Sequence, residues 1–115
     1  MNKTELIAYN WLTKQGLRVL PSGNPDLIGE DGKGYEVKLL RGNSIAFSPG
    51  QLEKLREYEN VELLIFRDLD TEPYKILHIS ELDDINQNNN IGGVNVQVFH
   101  KQMKFQMPED EQFLV

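Results

Sequence analysis

A chain of 115 residues is long enough for one domain with a modest core and too short for two, and 39% hydrophobic with 26% charged residues is an ordinary globular balance. No apolar run approaches the roughly 20 residues of a membrane span, no secretory leader is expected from the polar opening stretch, and zero cysteines exclude disulfides and thiolate metal sites, which suits a reducing cytoplasm. The net charge of −6 argues against an extended basic nucleic-acid surface, but it is unevenly spread: residues 1–60 hold eight basic and eight acidic side chains, residues 61–115 four and ten.

Asn2 followed by Glu5 reads as a capping box, and Gly16 closes a helix of about 13 residues whose Ile7, Ala8, Trp11 and Leu12 form an apolar stripe. Leu17 to Leu20 is expected as a short strand and Pro21 to Pro25 as a loop. Two strands then flank the turn Glu30-Asp31-Gly32 as a hairpin. Phe47-Ser48-Pro49-Gly50-Gln51-Leu52 places Ser at the N-cap, Pro at N1 and Gln at N3, predicting a second helix that runs to about Glu59. Val61 to Phe66 carries apolar side chains toward both faces, the pattern of a covered central strand, and Tyr74 to Ile79 is a further strand. Asn86 to Asn95, broken by Gly92-Gly93, reads as a loop. Val94-Val96-Val98 and Met103-Phe105-Met107 alternate like two more strands, and the acidic tail Pro108 to Val115 is expected to be loosely held. The fold class is therefore α/β: a helix, three strands, a helix and further strands in one mixed sheet, with a C-terminal β appendage.

The chemistry-bearing residues sit in the hairpin. Glu36 and Lys38 are two apart on a strand and leave one face, while Tyr35, Val37 and Leu39 leave the other. A three-residue loop with Gly32 left-handed pairs Gly29 with Lys33, Leu27 with Tyr35 and Asp26 with Glu36, which brings both carboxylates to the face of Lys38. A two- or four-residue loop would send Asp26 to the core face instead. Two carboxylates on neighbouring strands suit a hard divalent cation, most naturally magnesium, that keeps waters for a phosphate oxygen to displace. An ammonium beside such a cation stabilises the charge that builds in phosphodiester hydrolysis or orients the attacking water.

Pro25-Asp26, a nine-residue gap and then Glu36-Val37-Lys38, preceded by Glu5 on the first helix and followed by Gln51 on the second, resembles the signature of the PD-(D/E)XK nuclease superfamily over roughly residues 1–79. The resemblance implies a restriction-endonuclease-like core of order αβββαβ and a DNA endonuclease dependent on Mg²⁺, with Mn²⁺ as a substitute. It assigns metal binding to Asp26, Glu36, the Val37 carbonyl and Glu5, and catalytic support to Lys38 and Gln51. The small size is similar to archaeal-type Holliday junction resolvases, which act as dimers and carry a serine where Ser22 stands; their basic flank on the first helix is reduced here to Lys3. A homodimer acting on branched DNA is the expectation, with Lys14, Arg18, Lys33, Arg41, Lys54 and Arg56 as phosphate contacts and the strands at Val94 and Met103 as the dimer surface.

Plainer roles compete for several of these residues. Glu5 and Gln51 each fit the third position of a capping box, and Ser22 fits any Pro- and Gly-containing turn. His78 and His100 lack partners at ligand spacing and read as structural, and Tyr9 and Trp11 as packing residues. The rival functions are a catalytically silent nuclease-fold module that binds nucleic acid or a partner protein, and an oligomeric interaction module whose carboxylates are merely solvated.

Overall fold

The computed structural model describes residues 1–48, 50–82 and 88–99. Helix α1 (Lys3–Lys14) begins at the expected capping box: the Glu5 N–H donates to Asn2 Oδ1 at 2.8 Å and the Asn2 N–H to Glu5 Oε1 at 3.1 Å. Gly16 at φ +85° ends it. Strands β1 (Val19–Pro21), β2 (Leu27–Gly29), β3 (Gly34–Leu39), β5 (Val61–Phe66) and β6 (Lys75–His78) form one sheet in the order β1-β2-β3-β5-β6. Only β3 and β5 are parallel, so the sheet is mixed and the protein is of mixed α/β class.

One face of this sheet packs on α1 through Ala8, Leu12, Val19, Leu27, Tyr35, Leu64 and Phe66, with Ile7, Tyr9, Trp11 and Val37 around them. The other face carries a larger core of Leu40, Ile45, Phe47, Leu52, Leu55, Val61, Leu63, Ile65, Leu77, Ile79, Leu82, Val94 and Val96. Helix α2 (Gln51–Arg56), a 3₁₀ turn (Ile79–Leu82) and a second sheet supply that cover. The second sheet, ordered β4-β8-β7, joins β4 (Ser44–Phe47) to β8 (Val94–Val98) in parallel and β8 to β7 (Asn89–Ile91) antiparallel.

Several expectations are corrected. The first strand lies two residues later than Leu17. Strand β4 was not anticipated, and its Ile45 and Phe47 point into the core while Ala46 is exposed. Helix α2 does not begin with Ser48 as its cap: the Gln51 N–H closes a turn onto the Ser48 carbonyl at 3.1 Å, and Gly50, at φ +81°, is the N-cap. It ends at Arg56, short of Glu59, because the Glu57 and Tyr58 N–H groups tighten onto Lys54 and Leu55. The Asn-rich segment contains a hairpin as well as loop, since Gly92 and Gly93, at φ +58° and +87°, make the two-residue turn that pairs Ile91 with Val94. Nor is β8 an appendage. Val94 and Val96 are wholly buried in the larger core, so those side chains belong to the fold and offer no dimer surface. Residues Met103 to Met107, His100 and the tail from Pro108 lie outside the described residues.

Candidate active site

The hairpin adopts the expected register. Leu27 faces Tyr35, Ile28 faces Gly34, and the Gly29 N–H donates to the Lys33 carbonyl at 2.9 Å across a turn with Gly32 at φ +84°. Tyr35 Oη donates to Asp31 Oδ2 at 2.7 Å and the Lys33 N–H to Asp31 Oδ1 at 3.1 Å, so a carboxylate in the turn pins its β3 side. One pair further on, the ladder passes from main chain to side chains. The Asp26 N–H donates to Glu36 Oε1 at 3.0 Å, and the Val37 N–H donates to Asp26 Oδ2 at 2.9 Å. Glu36 and Lys38, beside Leu63 and Ile65 of β5, thus stand on the face opposite α1, and the hydrogen bonds of Asp26 with Glu36 and Val37 join it to them.

Among the described residues, the cover on that face stops over β3. Glu36, only 2% exposed, and Lys38 lie under its margin. Gln51 at the start of α2 ties the two together: its Nε2 donates to Glu36 Oε2 at 2.7 Å, while its Oε1 accepts from Lys38 Nζ at 3.2 Å and from the Ser48 N–H at 3.2 Å. The anticipated capping contact between Gln51 and Ser48 is therefore present, although the helix starts after it. Strand β4 completes the seat of the ammonium, for Lys38 Nζ donates to the Ala46 carbonyl at 2.7 Å and lies 4.3 Å from the centre of the Phe47 ring. Ala46 and Phe47 were not among the expected site residues; the alternation of Ile45 and Phe47 was the signal for them.

Charge is crowded here. Burial, then the neighbouring charge of Asp26, pushes the Glu36 carboxyl up to about 7 against the pull of Lys38. Burial also raises Asp26 above the ordinary aspartate range; the Val37 N–H opposes the rise and the charge of Glu5 adds to it. Burial lowers the Lys38 ammonium, with Glu36 and then Asp26 opposing. Two desolvated carboxylates side by side are an unfavourable arrangement that a cation would relieve.

The main chain adds a third oxygen. The Gly34 and Leu40 N–H groups donate to the Asn60 and Phe66 carbonyls on the β5 side, so the amides of even-numbered β3 residues face β5. Those of Val37 face the opposite edge, where its N–H already meets Asp26, and its carbonyl lies along that same edge. Glu5 acts on Asp26 through its charge and a side-chain hydrogen bond, while its Oε1 also accepts from the Asn2 N–H at the helix cap. Among the described residues, no three His, Cys, Asp or Glu side chains are grouped to hold a metal ion. The ligand set on offer is two carboxylates and one carbonyl, which fits a hard cation that keeps water in its remaining positions.

Other expected residues fall elsewhere. Ser22 is an exposed loop residue whose N–H donates to the Asp26 carbonyl at 2.8 Å. His78 bonds Asn60 Oδ1 at 2.9 Å and Ser80 Oγ at 2.8 Å, a structural role. Cavities of about 460 and 120 Å³ open beside Arg67 and Tyr74, and none of the site residues lines either. The chain matches no protein-family model, and no curated protein aligns with it significantly.

Proposed function

We propose that this protein is a magnesium-dependent DNA endonuclease of the PD-(D/E)XK kind on a restriction-endonuclease-like fold, with manganese able to substitute. The observation that carries the reading is the linkage Asp26–Glu36–Gln51–Lys38: two desolvated carboxylates on neighbouring strands, with an ammonium held beside them by one amide side chain. Asp26, Glu36 and the Val37 carbonyl would hold the cation, which supplies polarisation of a phosphate oxygen and a bound water of lowered pKa. Lys38, seated by Gln51, Ala46 and Phe47, offers a fixed positive charge where negative charge grows on the phosphate. Gln51 prevents Lys38 from collapsing onto Glu36, since it bonds both.

The proposed substrate is branched DNA, cut in the manner of a Holliday junction resolvase by a homodimer. A panel of labelled junctions, flaps, nicked and linear duplexes incubated with Mg²⁺, Mn²⁺, Ca²⁺ or chelator tests the reading. Cleavage with Mg²⁺ and Mn²⁺ and none in chelator is expected; no cleavage of any substrate with either metal would refute it. A catalytically silent module that binds nucleic acid or a partner protein is the second reading. It draws on the lack of a three-carboxylate group among the described residues and on the hydrogen bonds that already occupy Asp26 and Glu36. Calorimetry separates the two, because a silent module should take up no Mg²⁺ at these carboxylates.

A further inference from the structure

Among the described residues, the face that carries the carboxylates is covered over β3, β5 and β6, and its β1–β2 side carries exposed side chains. Register fixes what stands there. Leu20 pairs with Ile28, Ile28 with Gly34, and Val19 and Leu27 are buried against α1, so Leu20 and Ile28 share the face of Glu36, to which Asp26 is hydrogen-bonded. They are large and apolar, yet Leu20 is 74% and Ile28 37% exposed. The strip is anchored at its inner end by buried Pro25, which fills the space over Gly34 so closely that a Cβ there would come within 2.6 Å of it.

The strip continues outward to a cation. The Glu30 N–H donates to the Arg18 carbonyl at 2.8 Å, extending the β1–β2 ladder, and alternation puts exposed Arg18 on the same face as Leu20. Glu30, opposite, spends Oε1 on the Arg18 N–H at 3.4 Å. One face therefore reads, in order, carboxylates, an apolar pair and a guanidinium. Ile28 is two residues from Asp26, roughly 6.6 Å along the strand, which is close to two steps of DNA rise at about 3.4 Å each.

We infer that Leu20 and Ile28 form an apolar shelf that takes the faces of unstacked bases one or two steps from the phosphate cut at Asp26 and Glu36, while Arg18 pairs with a phosphate beyond them. This rests on the endonuclease reading and gives its proposed branched substrate a contact surface, one that takes bases whose stacking is already broken. Apolar side chains set against an opened base step recur in proteins that bend DNA, and the cost of unstacking is smallest where the stack is already interrupted. The arrangement of charge favours this occupant, since anionic phosphates flank apolar bases as the cation-binding carboxylates and Arg18 flank the apolar pair.

The test is binding in Ca²⁺ to a four-way junction and to a linear duplex, each with 2-aminopurine at the position next to the branch or its equivalent. Leu20→Ser and Ile28→Thr are combined; both positions are at the surface, and a thermal melt checks that the fold is kept. The parent should brighten the probe in the junction. The double variant should lose about tenfold in junction affinity, the scale of one lost base-stacking contact, lose the brightening and bind linear duplex within about twofold of the parent. Should the double variant bind and brighten the junction like the parent, the shelf is refuted and the endonuclease reading survives. If the parent binds neither DNA, that reading fails and the shelf with it. If light scattering shows the double variant dissociating a parent dimer, a second copy occupies the strip and the inference is overturned.

Discussion

Burying Glu36 beside Asp26 places a carboxyl with a folded-state pKa of about 7 where the unfolded chain has an ordinary glutamate near 4.5. A raised pKa stabilises the fold fully below the unfolded value, and that contribution is lost as pH rises through the folded one. In chelator, the melting temperature should therefore fall between about pH 5 and about pH 8, by the equivalent of roughly 2 kcal/mol, and Mg²⁺ should restore it at the upper end. Glu36→Gln should flatten this pH dependence; a curve as steep as the parent's would assign the effect to another group. Asp26→Ala and Glu36→Ala should each abolish cleavage, with metal-free stability unchanged or higher, because each removes a ligand and relieves like-charge crowding. If both variants are unfolded in a melt, the carboxylates are structural. Lys38→Ala should keep Mg²⁺ binding, read by calorimetry, and lose turnover by at least about a hundredfold. Gln51→Leu should lower turnover as well, since it leaves Glu36 Oε2 and Lys38 Nζ without their shared partner.

Turn chemistry decides whether these side chains meet at all. Gly32 at φ +84° permits the three-residue loop that sets Leu27 against Tyr35, and a slip of one residue would move Asp26 to the α1 face. Gly32→Val should cost about 1–2 kcal/mol in urea unfolding, because the left-handed conformation brings a Cβ too close to the following carbonyl; no loss would mean that the turn does not set the register. This hairpin was legible in the sequence, since a glycine turn and apolar pairing pointed to one geometry, and α1 was legible from its capping box. Strand β4 was not: four residues are too few for periodicity to prevail, and Phe47-Ser48 also fitted the start of a helix. Helix α2 was misplaced for a related reason. In sequence Pro49-Gly50 fits a turn as well as a first helical turn, and Gly50 is left-handed and caps the helix instead of lying within it. In β7, two asparagines of low strand propensity hid a strand held by pairing with β8. The juxtaposition of Asp26, Glu36 and Lys38 was legible from local patterning, and the contacts of Lys38 with Ala46 and Phe47 were missed because they depend on packing between the two sheets.

The two halves of the chain are interleaved, which changes what each contributes to the whole. Strand β5 of the acidic half lies between β3 and β6, and β8 lies against β4, so charge does not divide by sequence. Val96→Ala, in a segment expected to be an appendage, should cost about 2 kcal/mol or more through the cavity it leaves; a loss under about 0.5 kcal/mol in urea unfolding would show that β8 is peripheral after all.

The same interleaving bears on the proposed homodimer. Of the six cations expected to meet phosphates, Lys33 is paired with Glu62 at 3.3 Å and Arg56 with the Leu82 carbonyl, which leaves Lys14, Arg18, Arg41 and Lys54. One protomer that engages about three of these should bind DNA with a slope of log affinity against log salt near −3, and a symmetric pair with a slope near −5. The dimer predicts the steeper slope together with a light-scattering mass of twice 13.3 kDa at micromolar protein. A 13.3 kDa mass with a slope near −3 would refute it and leave a monomeric nuclease. A 13.3 kDa mass in free solution with the steep slope on junctions alone would also refute a preformed dimer, and would place assembly on the branched DNA itself, where two arms offer two copies of the same surface.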